Sequence, residues 1–449
     1  MPPQLNSQAY PVIFFYIIAL IGLALIIYRP YWAFLFSLFC LSARNFNAAV
    51  FTRPPLLGSY LNLNDLLLWI ALFAMIKEIL ETRRPIWAPK ILLSIFALLL
   101  IGDFQSLFKY GFNVLVIRRI WSTAIFAILF LVSANMVKDI KRSYSFYWIL
   151  FFGALTACVQ HIYFIGNAEY YDIYSGNLEI RTISYIMSGG LFLLIGSIFA
   201  QRDKNLDRSK LVLYYLGLAL IGFSFLMSLT RGIYAISIAT LLIFPFLQRK
   251  KVQIAKVTFQ LILIGFVIIY GARILLPNLD LASLLNKKFE GLINRDSFSV
   301  AYKTRAQGAL SEFNIWLNNT TLILGTGATL PPEFELSETT ESGALYHVGF
   351  TGYLAHFGIL GIVLYAVLLP FTTIKIARRY YQRHSIDYGG RIALIAIACA
   401  LYDVFGLPWS QHHLHATSQI SGLIYGALWG LYVRKHMKSE KFRFSATIS

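Results

Sequence analysis

Apolar runs of roughly 17–25 residues, long enough to cross a bilayer as helices, recur along almost the whole chain and are punctuated by short polar segments. The pattern predicts spans at residues 10–28, 31–50, 62–80, 88–107, 113–136, 145–166, 182–200, 211–229, 232–248, 257–276, 349–372, 389–408 and 416–433. Helices are expected because a backbone exposed to lipid has to satisfy its own hydrogen bonds. The second run holds Arg44 and Asn45 and also reads as a half-span, so the count is twelve or thirteen. The expected fold is therefore all-α: a polytopic transmembrane helix bundle of about 12–13 spans, with a large external loop carrying amphipathic helices. Its parts are residues 1–276 with the first ten helices, the loop domain 277–346, and residues 347–449 with the last three helices and a cytoplasmic tail.

The polar punctuation has a sign. The segments at 81–85, 138–142, 201–210, 249–251, 375–384 and 434–438 are all strongly basic and, by the positive-inside rule, cytoplasmic. Two spans separate each neighbouring pair, so the alternation closes on itself from residue 81 onward and puts the N-terminus outside. Residues 277–346 break the pattern. They are net acidic and far longer than an ordinary helix connection, so they are expected to fold as an external cap. Within them Ala306, Ala309, Leu310, Phe313, Trp316 and Leu317 recur at helical spacing, which predicts an amphipathic helix over 299–317 with that stripe buried and Arg305 at its border.

Composition agrees with this class: 57% of the residues are hydrophobic and only 13% charged, about half the charged share of a soluble domain. The formal charge of +18 is spread through the basic connections, where anionic lipid head groups account for it; no nucleic acid partner is expected. Cys40, Cys158 and Cys399 all lie inside apolar runs, which excludes a disulfide framework. The neutral start of the chain lacks a basic region, so the first apolar run reads as a span and not as a cleaved signal.

Three side chains stand where membrane-level chemistry can occur. Arg231, in SLTRGIY, occupies a tight turn between two apolar runs on the external side; an arginine there either snorkels to the interface or faces the loop as a functional cation. Arg305, in KTRAQGAL, brings a second guanidinium, and two of them can grip a diphosphate bidentately without a metal. His347, in ALYHVGF, stands where the loop re-enters the membrane, and imidazole is suited to take a proton near neutral pH. His356 lies deeper and on another face, and reads as packing. The cluster His412, His413 and His415 has weak ligand spacing and no nearby carboxylate in sequence, so no metal site is expected. The glycines at 325 and 327 read as a turn. Gly422, Gly426 and Gly430 repeat every four residues, the spacing of close helix packing. Asp65, Asp103 and Asp403 are isolated, and no early external loop carries the paired acidic residues of a metal-dependent lipid-linked glycosyltransferase.

Taken in order, SLTRGIYAISIATLLI, the loop with Arg305, LILGTG and YHVGFTGYLAHFGILGIVLY resemble the O-antigen ligase and polymerase superfamily, over about residues 210–372. The resemblance implies a membrane glycosyltransferase of the bacterial cytoplasmic (inner) membrane that moves an oligo- or polysaccharide from undecaprenyl diphosphate to an acceptor hydroxyl on the external face. The reaction would be inverting and metal-independent, with no cofactor. Carried over by motif, Arg231 and Arg305 would hold the diphosphate and steady the leaving group, and His347 would be the general base. Arg118, Arg119 and Arg181, near external helix ends, would be further phosphate contacts. One departure is Val348, where family members often carry Asn directly after the histidine. The acceptor, lipid A core for a ligase or a second lipid-linked glycan for a polymerase, is not distinguished. A transporter or flippase of lipid-linked glycan is the alternative, weakened by the absence of a repeated half in the sequence; a cell-wall glycan polymerase of the shape-determining type shares the donor.

Overall fold

The computed structural model describes residues 9–43, 63–112, 114–166, 189–201, 208–227, 231–247, 309–318, 322–327, 349–407 and 419–446. All secondary structure in them is helical. In chain order the helices are α1 (Ala9–Tyr28), α2 (Pro30–Ala43), α3 (Leu63–Thr82), α4 (Lys90–Tyr110), α5 (Val114–Met136), α6 (Ile140–Gly166), α7 (Gly190–Ile198), α8 (Arg208–Met227) and α9 (Arg231–Leu247). Then come α10 (309–318), α11 (Gly349–Gly361), a π-type stretch over Ile362–Leu368, α12 (Leu369–Arg383), α13 (Tyr388–Gly406) and α14 (Gln419–Ala446). Among the described residues five helical segments are long and apolar enough to cross a membrane: Lys90–Lys109, Ile140–Ile162, Arg208–Phe225, Gly349–Arg383 and Tyr388–Gly406. Shorter apolar helices accompany them. The tenth expected span, 257–276, lies outside the described residues.

Contacts between helices fix their relative directions. Tyr31 meets Arg142 and Gly153 meets Ser42, so α2 and α6 run parallel. Tyr147 meets Tyr214 (O···O 2.8 Å) and His161 meets Ser224 (2.7 Å), so α6 and α8 run parallel as well. Phe192 packs on Tyr402 and Gly196 on Ile395, making α7 and α13 antiparallel. All three relations agree with the alternation expected from the basic segments.

Those segments also converge. The buried carboxylate of Glu78 accepts from Arg142 Nη1 (2.8 and 3.0 Å) and pairs with Lys138. Trp87 N donates to Asn135 Oδ1 (3.0 Å), Tyr381 Oη to the Phe199 carbonyl (3.5 Å), and Ser385 Oγ to Gln201 Oε1 (3.5 Å). The ends of α3, α5, α7 and α12 therefore lie at one end of the bundle, called here the basic end. Arg391, buried in the first turn of α13 nearby, is ringed by Tyr147, Tyr214 and Tyr388 at 5.2–5.6 Å. Three aromatic faces offset the cost of a guanidinium taken into the apolar interior.

Among the described helices the most extensive pair is α5 with α14. Gly422, Gly426 and Gly430 face the carbonyls of Phe126, Phe130 and Ala134 in register, so closely that a Cβ at Gly422 would stand 2.6 Å from the Phe126 oxygen. Backbone contact at that distance needs glycine, and Ser133 Oγ donates across the seam to the Leu423 carbonyl (2.7 Å). The four-residue glycine repeat thus packs helices as its spacing predicts.

Two expectations about polar segments change. The basic stretch 375–384, expected as a loop, is helical through Arg383 and continues the span, and 434–438 lies within α14. Arg and Lys are good helix formers, and nothing in those stretches stops a helix already running.

Candidate site at the end opposite the basic segments

α11 enters the bundle at Gly349, with Phe350 N donating to the Leu407 carbonyl at the end of α13 (3.1 Å). Nine residues on, it breaks. Gly358 has φ 61° and ψ −156°, a backbone region open in practice to glycine alone. A continuous helix would bond Ile359 N to the Ala355 carbonyl and Leu360 N to that of His356. Instead residues 322–327 lie across the break as a strap and take all four groups: Thr326 N donates to Ala355 O (2.7 Å), Gly327 N to His356 O (2.9 Å), Ile359 N to Leu322 O (3.2 Å) and Leu360 N to Ile323 O (3.2 Å). Unsatisfied backbone at membrane depth is tolerated only where protein or water completes it, and here protein does.

Glycines permit the close approach. Gly325 and Gly327 have φ of 71° and 94°; a Cβ on Gly325 would stand 2.6–2.7 Å from the backbone of Ala355, His356 and Gly358. Gly327 abuts Gly102 and Ser106 on α4, which closes the far side of the strap. Thr326 Oγ1 adds a bond to Ala355 O (2.9 Å), and His356 Nδ1, facing the Gly327 carbonyl at 3.0 Å, must donate to it. His356 is therefore a structural pin, as the sequence suggested, and the Gly-Thr-Gly turn binds the protein's own backbone.

A side-chain bond ties the strap to α10. Trp316 Nε1 donates to the Leu322 carbonyl (2.8 Å), and Glu312, 1% exposed, accepts from Thr351 Oγ1 in the first turn of α11. This turns α10 away from its expected orientation. Leu310, Phe313 and Leu317 of the predicted buried stripe are exposed at 60%, 36% and 50%, while Glu312 and Ile315 face inward. The bond to Thr351 selects that face, and the apolar stripe is left exposed.

Of the site residues expected from sequence, Arg231 is the first residue of α9. Ile236 of that helix borders Gly406 on α13, so α9 begins at the same end as the entry of α11. Arg118 and Arg119 lie in the N-terminal part of α5, whose opposite end carries the basic segment. Arg305, His347 and Arg181 lie outside the described residues, as do His412, His413 and His415. The structure does bring together α10 and the first turn of α11, through Glu312 and Thr351. Sequence reasoning missed Glu312, counted only among the acidic residues of the loop, and Gly358, hidden in an apolar run. Of the isolated acids, Asp65 accepts from Trp121 Nε1 (2.7 Å) and Asp403 from Tyr425 Oη, so each joins two helices of the bundle.

No family model matches the chain, and no curated protein matches it.

Proposed function

We propose that the protein is a membrane glycosyltransferase that moves an oligo- or polysaccharide from undecaprenyl diphosphate to an acceptor hydroxyl. What supports the reading is the bond of Glu312 to Thr351, which ties α10, the helix that follows Arg305 in sequence, to the start of α11, the helix that follows His347 in sequence, at the end of the bundle where α9 opens with Arg231. In this reading Arg231 and Arg305 hold the diphosphate, with Arg118, Arg119 and Arg181 as further phosphate contacts. The acceptor oxygen attacks the anomeric carbon, its proton passes to the His347 imidazole, and the glycosidic bond to phosphate breaks with inversion. The two guanidinium groups neutralise the charge that gathers on the departing diphosphate. The acceptor is lipid A core or a second lipid-linked glycan.

The same reading sets the topology: twelve or thirteen spans in a bacterial cytoplasmic membrane, the basic end inside, and the loop 277–346 outside with its amphipathic helices on the bilayer surface. Convergence of the basic segments supports it.

A transporter or flippase of lipid-linked glycan is the second reading, and the broken α11 is the feature that favours it, since discontinuous helices form transport sites. In such sites the freed backbone groups face the cargo. Here the strap occupies all four, which favours a scaffold for an enzyme site.

The test is transfer by protein in liposomes supplied with a synthetic undecaprenyl-diphosphate oligosaccharide and either acceptor. A product linked to acceptor, lost in Arg305→Ala, is expected. Translocation of the labelled donor without any transfer would overturn the enzyme reading in favour of the transporter.

A further inference from the structure

α6 and α8 leave the basic end side by side, and two buried side chains join them at the far end. His161, 3% exposed, and Ser224, 1% exposed, are each the last residue but one of a helical segment long and apolar enough to cross a membrane, Ile140–Ile162 and Arg208–Phe225. Both therefore stand level with lipid head groups at the end opposite the basic segments. Phe225 packs edge to face with Tyr234 (ring centroids 5.3 Å apart), which brings the first turn of α9 to the same place.

A hydroxyl inside a helix ordinarily turns back to its own backbone. Ser237 and Thr240 of α9 do so, donating to the Ile233 and Ile236 carbonyls (2.6 and 2.8 Å). Ser224 Oγ instead lies 2.7 Å from His161 Nδ1 and also shares a hydrogen bond with Cys158, one turn earlier on α6. The hydroxyl has one proton to give. An imidazole nitrogen is a far better acceptor than a thiol sulfur, so the proton goes to Nδ1, and the ring's own proton is left on Nε2. That N–H is enclosed and, among the described residues, has no hydrogen-bond partner. Packing alone does not call for such a group, since an aromatic hydrocarbon ring would fill the space without a buried donor to satisfy.

Charge decides what the open nitrogen can take. α6, α8 and α9 contain no Asp or Glu, so nothing on the three helices that meet here attracts a cation. An N–H donor calls for an acceptor oxygen, and bonds most strongly to an anionic one. We infer that His161, held in this tautomer by Ser224, is a phosphate-binding residue whose Nε2–H donates to a phosphate oxygen of the polyprenyl diphosphate donor. The inference rests on the glycosyltransferase reading for the source of that phosphate. An anionic lipid head group offers the same chemistry.

Asparagine and glutamine separate the two ring nitrogens, because the shorter amide reaches the place of Nδ1 and the longer one the place of Nε2. Binding of undecaprenyl diphosphate is measured on purified protein in phosphatidylcholine nanodiscs for wild type, His161→Asn, His161→Gln and Ser224→Ala. His161→Asn, which can still bond Ser224, is expected to lose about tenfold or more in affinity, the scale of one hydrogen bond to a charged group. His161→Gln keeps most of the affinity. Wild-type affinity in His161→Asn, or an equal loss in His161→Gln, would overturn the inference. Where His161→Asn does not fold, Ser224→Ala decides: the imidazole stays but its proton is no longer confined to Nε2, so affinity falls, and unchanged affinity overturns the inference. Repeating the series with phosphatidylglycerol in the nanodiscs separates the two sources of phosphate. Donor affinity unaffected by that lipid is expected; competition that disappears in His161→Asn would overturn the donor assignment and give the site to lipid head groups. A protein that transfers glycan and binds donor equally well without His161 overturns this inference and keeps the transferase. One that transfers nothing, yet binds the diphosphate through His161, overturns the transferase reading and keeps the phosphate site.

Discussion

Replacing Gly358 with alanine strikes the structure where the backbone is least able to adapt. The residue sits at φ 61° and ψ −156°, and holding a side chain in a sparsely populated backbone region costs on the order of 1–3 kcal/mol. The added Cβ would stand 2.6 Å from the Leu322 carbonyl and closer still to Ile323, so the strap has to withdraw. Withdrawal removes the bonds from Ile359 and Leu360, each 3.2 Å in the native arrangement, at about 0.5–1.5 kcal/mol each. The sum is about 2–6 kcal/mol, a large share of the stability of a typical domain. The alternative open to the variant is to close the helix, bonding 359 to 355 and 360 to 356, and to release the strap altogether. Thermal unfolding of detergent-solubilised protein followed by intrinsic tryptophan fluorescence measures the loss. Limited proteolysis within 322–327 reports release of the strap. A Gly358→Ala protein with wild-type unfolding temperature, an uncut strap and full glycan transfer would refute the account of the break.

Three further outcomes are expected. Gly426→Ala drives a Cβ to 2.9 Å from that of Ser133 and into the Phe130 carbonyl, and should cost about 1–3 kcal/mol by overpacking; Gly406→Ala, whose nearest neighbours stand at 3.7–3.9 Å, should cost under about 0.5 kcal/mol, and the pair is read by the same unfolding assay. Glu78→Ala leaves Lys138 and Arg142 facing each other with their carboxylate gone, and should cost about 3 kcal/mol, while Glu81→Ala, whose ion pair with Lys77 is largely exposed, changes unfolding by less than about 1 kcal/mol. His347→Gln should lose roughly a hundredfold to ten-thousandfold in transfer while still binding donor; near-normal turnover would end the general-base role.

Hydropathy located helices because lipid and core both select apolar residues, and the sign of the short connections foretold the relative directions of α2, α6 and α8 and of α7 and α13. The seam of Gly422, Gly426 and Gly430 was legible for a local reason: its spacing states its geometry whatever the partner. The break at Gly358 was not. A glycine in an apolar helix ordinarily signals packing, and nothing near it announces that residues 322–327 will replace two of its hydrogen bonds. Glu312 escaped for the opposite reason. A carboxylate among acidic neighbours reads as solvated, and only the partner on α11 shows that it is buried. The amphipathic stripe of α10 was seen and its direction misjudged, because an apolar face suits lipid as well as it suits protein.

The seam between α5 and α14 also carries a timetable. Ser133 and Leu423 are 290 residues apart along the chain, and at about 5–20 residues per second of synthesis the second follows the first by roughly 15–60 s. Throughout that interval the carbonyls of Phe126, Phe130 and Ala134 have no glycine face against them, and the groove on α5 stays open. Closure of the bundle is thus a late event in biogenesis, decided after every other described helix has been made, and a nascent chain halted before Gln419 presents quality control with an open groove in place of a finished wall.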